Sequence, residues 1–115
     1  MENLVTVKTI ISFLRENIEK KIPMSPALYV EAAAKLNVLL ADEHEKLFDL
    51  QQKIAQMKSE IIQRGETSSK AVILVEASDE YRECQSQKAF ISRIVEFIRI
   101  SKLQGRLKME EFKGY

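Results

Sequence analysis

Among 115 residues there are three glycines, two prolines, one cysteine, one histidine and no tryptophan. Each scarcity excludes something. So little Gly and Pro, beside 45% hydrophobic and 30% charged residues, is a composition of long amphipathic helices rather than of strands or disorder. The single cysteine, Cys84, cannot form an internal disulfide. One histidine, His44, gives no basis for a Ser–His–Asp set, and the chain has neither a Gly-rich nucleotide fingerprint nor a Cys–His metal spacing. No segment approaches the roughly 18 consecutive apolar residues of a membrane span. The start "MENLVTVKTIISFL" lacks the basic beginning and unbroken apolar run of a signal peptide. The expected compartment is a reducing cytosol. Eighteen basic against seventeen acidic residues leave a net charge of +1, so any attraction to nucleic acid must come from a local patch.

What is present is helical periodicity. Val7, Ile11, Leu14 and Ile18 step by four, three and four, extended by Leu4 and widened by Ile10 and Phe13. They predict a helix over about 3–20, ending in "EKKIPM", where Pro23 disfavours further helix. Ser25 followed by Pro26 is a helix start, with Met24 placed to staple onto Tyr29. From there Tyr29, Ala33, Leu36, Leu40, Glu43, Leu47, Leu50, Ile54, Met57 and Ile61 alternate four and three without a slip. Such a repeat of 3.5 residues is the mark of a coiled coil, here over about 26–63, roughly 57 Å long.

"QRGETSSK" follows, residues 63–70. A Walker-type loop needs a second Gly and a preceding strand, and neither is offered, so the stretch reads as a hinge, with Gly65 ending one helix and Thr67 or Ser68 capping the next. A third helix over about 68–104 is expected to turn Leu74, Ala77, Tyr81, Cys84, Lys88, Ile91, Val95 and Ile98 inward, leaving 105–115 as a tail. Phe90, Ile94 and Phe97 form a second apolar stripe beside the first, expected with Ile98 to contact another helix or another molecule. The fold class is therefore all-α: one domain over 1–115, a short first helix beside a long antiparallel αα-hairpin, packing as a dimer or larger bundle.

Four features are candidates for function. Asp42, Glu45 and Asp49 share a helical face near His44, but without a carboxylate–x–x–His arrangement they read as a solvated acidic face, and no metal or cofactor is expected. Glu43 breaks the apolar seam, and Lys88 holds the corresponding kind of position, so the two are expected to pair, within or between chains, and set the register. Cys84 reads as a small core residue rather than a nucleophile. Lastly, Arg99, Lys102 and Arg106 lie at i, i+3 and i+7, with Lys108 and Lys113 nearby. Phe112 and Tyr115 are candidates to stack on bases, which would make this a single-strand surface; the alternative, and the plainer reading, is a solvated helix end whose cations complement the helix dipole.

Residues 28–107, and above all "KSEIIQRGETSSKA" and "ISRIVEFIRISKLQGRL", resemble short helical-hairpin proteins of phage replication and recombination modules, found near single-strand annealing proteins. The resemblance implies an accessory role in phage DNA metabolism and transfers no functional residue by position. The resulting expectation is a non-enzymatic accessory protein, binding a phage or host protein and, through Arg99, Lys102, Arg106 and Lys108, single-stranded DNA. The alternatives are an anti-defence or host-takeover inhibitor docking through Phe90, Ile94 and Phe97, and a structural coiled-coil component of a virion.

Overall fold

The computed structural model describes residues 6–20 and 25–113, with side chains through residue 110. Leu4, Pro23, Met24 and Tyr115 lie outside these residues, as do the side chains of Phe112 and Lys113. The described residues form four helices and no strand: α1 (Val7–Glu19), α2 (Pro26–Gln63), α3 (Ser68–Glu76) and α4 (Asp79–Lys113). The long helices α2 and α4 pack against each other, as an all-α hairpin requires. Tyr29 meets Ser101 and Glu43 meets Gln87, so position falls along one helix as it rises along the other. No described helix is long and apolar enough to cross a membrane.

Two compact units are present, Met1–Ala41 with Ser92–Tyr115, and Asp42–Ile91. In the first, Val7, Ile10, Ile11 and Leu14 of α1, Tyr29, Ala32, Ala33 and Leu36 of α2, and Ile94, Ile98 and Ser101 of α4 are buried. Each large side chain removed from water in this way stabilises by about 1.5–3 kcal/mol. Helix α1 starts at a capping box: the Thr6 hydroxyl accepts from the Thr9 main-chain N–H, and the Thr9 hydroxyl accepts from that of Thr6. The described helix thus begins four residues later than the expected start at 3, because Thr6 supplies the partners that the first N–H groups lack.

Gly105 lies inside α4, and the helix continues through it to Lys113 rather than ending there in a tail. A Cβ built on Gly105 would lie 3.4 Å from the Tyr29 Cβ and 3.6 Å from the Pro26 carbonyl oxygen. The glycine marks a close approach of α4 to α2 rather than a helix end. One turn earlier the fully buried Ser101 hydroxyl donates to the Tyr29 carbonyl at 2.7 Å, so this polar group enters the core with its hydrogen bond satisfied.

In the second unit α2 passes into α3 through a turn at Gly65, whose φ of 103° is the left-handed conformation that glycine adopts without strain. The Gly65 N–H donates to the Ile62 carbonyl and the Glu66 N–H to that of Ile61, a Schellman ending. Thr67 then caps α3 by accepting from the Lys70 N–H. "QRGETSSK" is thus a helix-to-helix turn.

The helix expected over 68–104 is divided. The Ser78 hydroxyl donates to the Val75 carbonyl at the end of α3 and accepts from the Tyr81 N–H at the start of α4. Asp79 and Glu80 then place negative charge in the first turn of α4, where the helix dipole favours it. Ala71 and Val75 are the buried residues of α3, while Val72, Ile73 and Leu74 are exposed.

Candidate interaction surfaces

Among the described side chains, Cys84, Ile91, Ile94, Ile98, Ser101 and Gly105 are the buried positions of α4, with Gln87 half-buried between the first two. The inward seam therefore steps 84, 87, 91, 94, 98, 101, 105. Lys88 and Val95, expected inside, are exposed. Cys84, Ile91 and Ile98 are common to both registers, and the intervening positions decide between them. The expected one would bury Lys88 and, one heptad beyond Val95, Lys102. Burying an unpaired cation costs several kcal/mol. The observed one buries Ile94 and Ser101 and half-buries Gln87, all apolar or able to hydrogen-bond as neutral groups.

Within the chain the expected Glu43–Lys88 pair is accordingly not formed. Glu43 is buried, 7% exposed, and its carboxylate accepts from Lys46 Nζ at 3.0 Å and from Gln87 Nε2 at 3.3 Å. The same Gln87 nitrogen donates to the Glu43 main-chain oxygen at 2.9 Å. Sequence reasoning sought an opposite charge for the buried acid and passed over a neutral donor in the next position. The signal available was Gln87 at i+3 from Cys84.

The stripe expected to meet a partner is largely taken up by the fold. Ile94 and Ile98 are buried, and Phe90 and Phe97 are half-buried. Cys84 is a buried free thiol. The most exposed large apolar side chains among the described residues are elsewhere: Val38 is 73% exposed, Ile73 67%, Val30 59% and Phe48 58%. None of these four was singled out from the sequence. They belong to a second face of α2 and an outer face of α3, which the strong inward periodicity masks.

The basic candidates separate into two groups. Arg99, Lys102 and Arg106 are exposed, and their spacing places them on one face of α4. Lys108 is half-buried and lies about two-thirds of a turn round the helix from Lys102, off that face. Arg99 is engaged by Glu96, one turn back: its Nε donates to Glu96 Oε2 at 3.2 Å and its Nη2 donates to Oε1. These hydrogen bonds, helped by the attraction of opposite charges, hold the Glu96 carboxyl below its ordinary pKa and raise that of Arg99. Lys102 and Arg106 make no ion pair with a described residue. The accessible positive charge thus centres on Lys102 and Arg106, with Arg99 shared.

On α2, Asp42, His44, Glu45 and Asp49 are exposed. Among the described residues no three His, Cys, Asp or Glu side chains are grouped to hold a metal ion. Comparison with family models, with curated proteins and with solved structures finds no match for this chain.

Proposed function

We propose that the chain is a non-enzymatic helical interaction protein, an accessory of phage type in DNA replication or recombination, that presents helix faces to a protein partner and the basic face of α4 to single-stranded DNA. The observation that carries the reading is the exposure of Val38, Ile73, Val30 and Phe48 in a chain whose seam positions are already turned inward. Large apolar side chains held in water on rigid helices are the usual material of a protein contact. The DNA arm rests on Arg99, Lys102 and Arg106 sharing one exposed face, and on the resemblance of residues 28–107 to the phage hairpin proteins.

The test is fluorescence anisotropy of a labelled single-stranded oligonucleotide titrated with the protein at two salt concentrations. Binding is expected to weaken steeply with salt, because each phosphate contact releases condensed counterions. It is expected to vanish when Lys102→Glu is combined with Arg106→Glu. An absence of binding at low salt would remove the DNA arm and leave protein contact alone.

A further inference from the structure

Two exposed helix faces have matched spacing and opposite sign. Within the unit Asp42–Ile91, α2 carries Asp42, Glu45 and Asp49 at i, i+3 and i+7, with the exposed Phe48 among them. None of these three carboxylates makes an ion pair with a described residue; of the two exposed cations on the same face, Lys46 turns to Glu43, and Lys53, at i+4 from Asp49, makes no ion pair with a described residue. Within the other unit, α4 carries Arg99, Lys102 and Arg106, also at i, i+3 and i+7, with the exposed Val95, Leu103 and Met109 beside them. Each triad covers seven residue steps, about 10 Å of helix.

We propose that the acidic face of α2 in one copy docks on the basic face of α4 in a second copy. Charge complementarity selects the occupant. The chain is nearly neutral as a whole, so it has no net field to repel its own copies, yet one helix face carries three acids against Lys46 and Lys53 and the other three bases against Glu96 and Glu110, an excess of opposite sign on each. Covering Phe48, Val95 and Leu103 removes apolar surface from water, and this supplies the favourable term. The charges set which faces meet, since exposed ion pairs by themselves contribute little. Arg99 joins the contact while shared with Glu96, so Lys102 and Arg106 carry most of the selection.

The experiment is sedimentation velocity on the full chain over a range of micromolar concentrations at low and high salt. Wild type is expected to dimerise at low salt and to dissociate as salt rises. Asp42→Lys with Glu45→Lys is expected to weaken self-association by roughly tenfold or more, and so is Lys102→Glu with Arg106→Glu. Mixing the two variants should restore a mixed dimer, which loss of folding in either would not do. Phe48→Ser keeps every charge and is expected to weaken association as well, so it decides the matter should a charge variant misfold. A wild type that stays monomeric at low salt, charge variants that associate as wild type does, or a mixture that stays monomeric would each overturn the proposal. The oligonucleotide assay on the Phe48→Ser variant separates this proposal from the DNA reading, because that position lies outside the basic face and the substitution keeps every charge.

Discussion

Gln87 Nε2 bridges the main-chain and side-chain oxygens of Glu43, at 2.9 and 3.3 Å, and so ties a buried carboxylate of α2 to α4. Removing the amide leaves that carboxylate with Lys46, whose side chain is 65% exposed. Gln87→Leu is expected to lower stability by about 1–3 kcal/mol, the cost of leaving a buried acceptor short of a partner. Glu43→Leu removes the group that needs the partner and is expected to be close to neutral. Urea denaturation of the two variants should show a clear fall in midpoint for Gln87→Leu and little change for Glu43→Leu; the reverse order would contradict the bridge.

The register of α4 gives a sharper contrast between adjacent residues. Ile94 is fully buried and Val95 exposed, so Ile94→Ala is expected to cost about 2–5 kcal/mol and Val95→Ala no more than about 0.5. Lys88→Ala should also lie within about 0.5 kcal/mol. Equal losses at 94 and 95 would return α4 to the register read from its apolar spacing alone.

That contrast shows where the sequence is informative. In α2 the apolar residues allow one seam, and Tyr29, Ala33, Leu36 and Glu43 are buried as the spacing requires, with Leu40, Leu47, Leu50, Ile54, Met57 and Ile61 half-buried behind them. In α4 both 94 and 95 are β-branched and apolar, so periodicity has two solutions and the cost of burying Lys88 and Lys102 chooses between them. Ser78 followed by Asp79 and Glu80 is a legible helix start, overlooked because "AVILVEA" before it and "EYREC" after it continue one helical period. Gly105 has the opposite problem. A helix-ending glycine and one at a close helix contact look alike until the facing residues, Pro26 and Tyr29, are known. Of the candidate surfaces, the spacing of Arg99, Lys102 and Arg106 was readable, whereas the capture of Arg99 by Glu96 depends on side-chain geometry that spacing only permits.

The close approach at Gly105 has room for one carbon and little more. Gly105→Ala removes a flexible residue from a helix interior, a gain of up to about 1 kcal/mol, and its Cβ would meet the Tyr29 Cβ at ordinary contact distance. A rise in thermal midpoint is expected. Gly105→Leu must instead displace Tyr29 or part the helices, and an overpacking loss of about 1–3 kcal/mol or more is expected. A leucine variant as stable as the alanine one would show that the helices are not in contact there.

Two local devices shape the turn segments of the second unit. Gly65→Ala places a Cβ on a left-handed residue and is expected to cost about 1–2 kcal/mol, although nothing lies within 4 Å to clash with it. Ser78→Ala deletes the cap between α3 and α4 and is expected to cost about 0.5–2 kcal/mol. In amide hydrogen exchange the Ser78→Ala loss should concentrate in the first turn of α4, at Tyr81 and its neighbours. Uniform loss of protection across the chain would argue against a local cap.

The Glu96–Arg99 pair links pH to the basic face. Arg99 holds the Glu96 carboxyl below its ordinary pKa of 4.5, chiefly through the hydrogen bond and with help from opposite charge. The folded-state pKa is thus lower than the unfolded one. The pair's contribution is complete above the ordinary carboxylate range and is lost as pH falls through the depressed value. Both side chains are largely exposed, so the effect on overall stability is small and the titration itself is the readout. An NMR titration should place the Glu96 midpoint below 4.5, and Arg99→Gln should move it back up. Glu96→Gln frees the guanidinium at neutral pH. If Arg99 lies on a phosphate-binding face, that variant binds the labelled oligonucleotide more tightly than wild type and with a steeper salt dependence, because one more cation is available for contact. Unchanged affinity and salt slope would exclude Arg99 from that face and leave Lys102 and Arg106 as its cations.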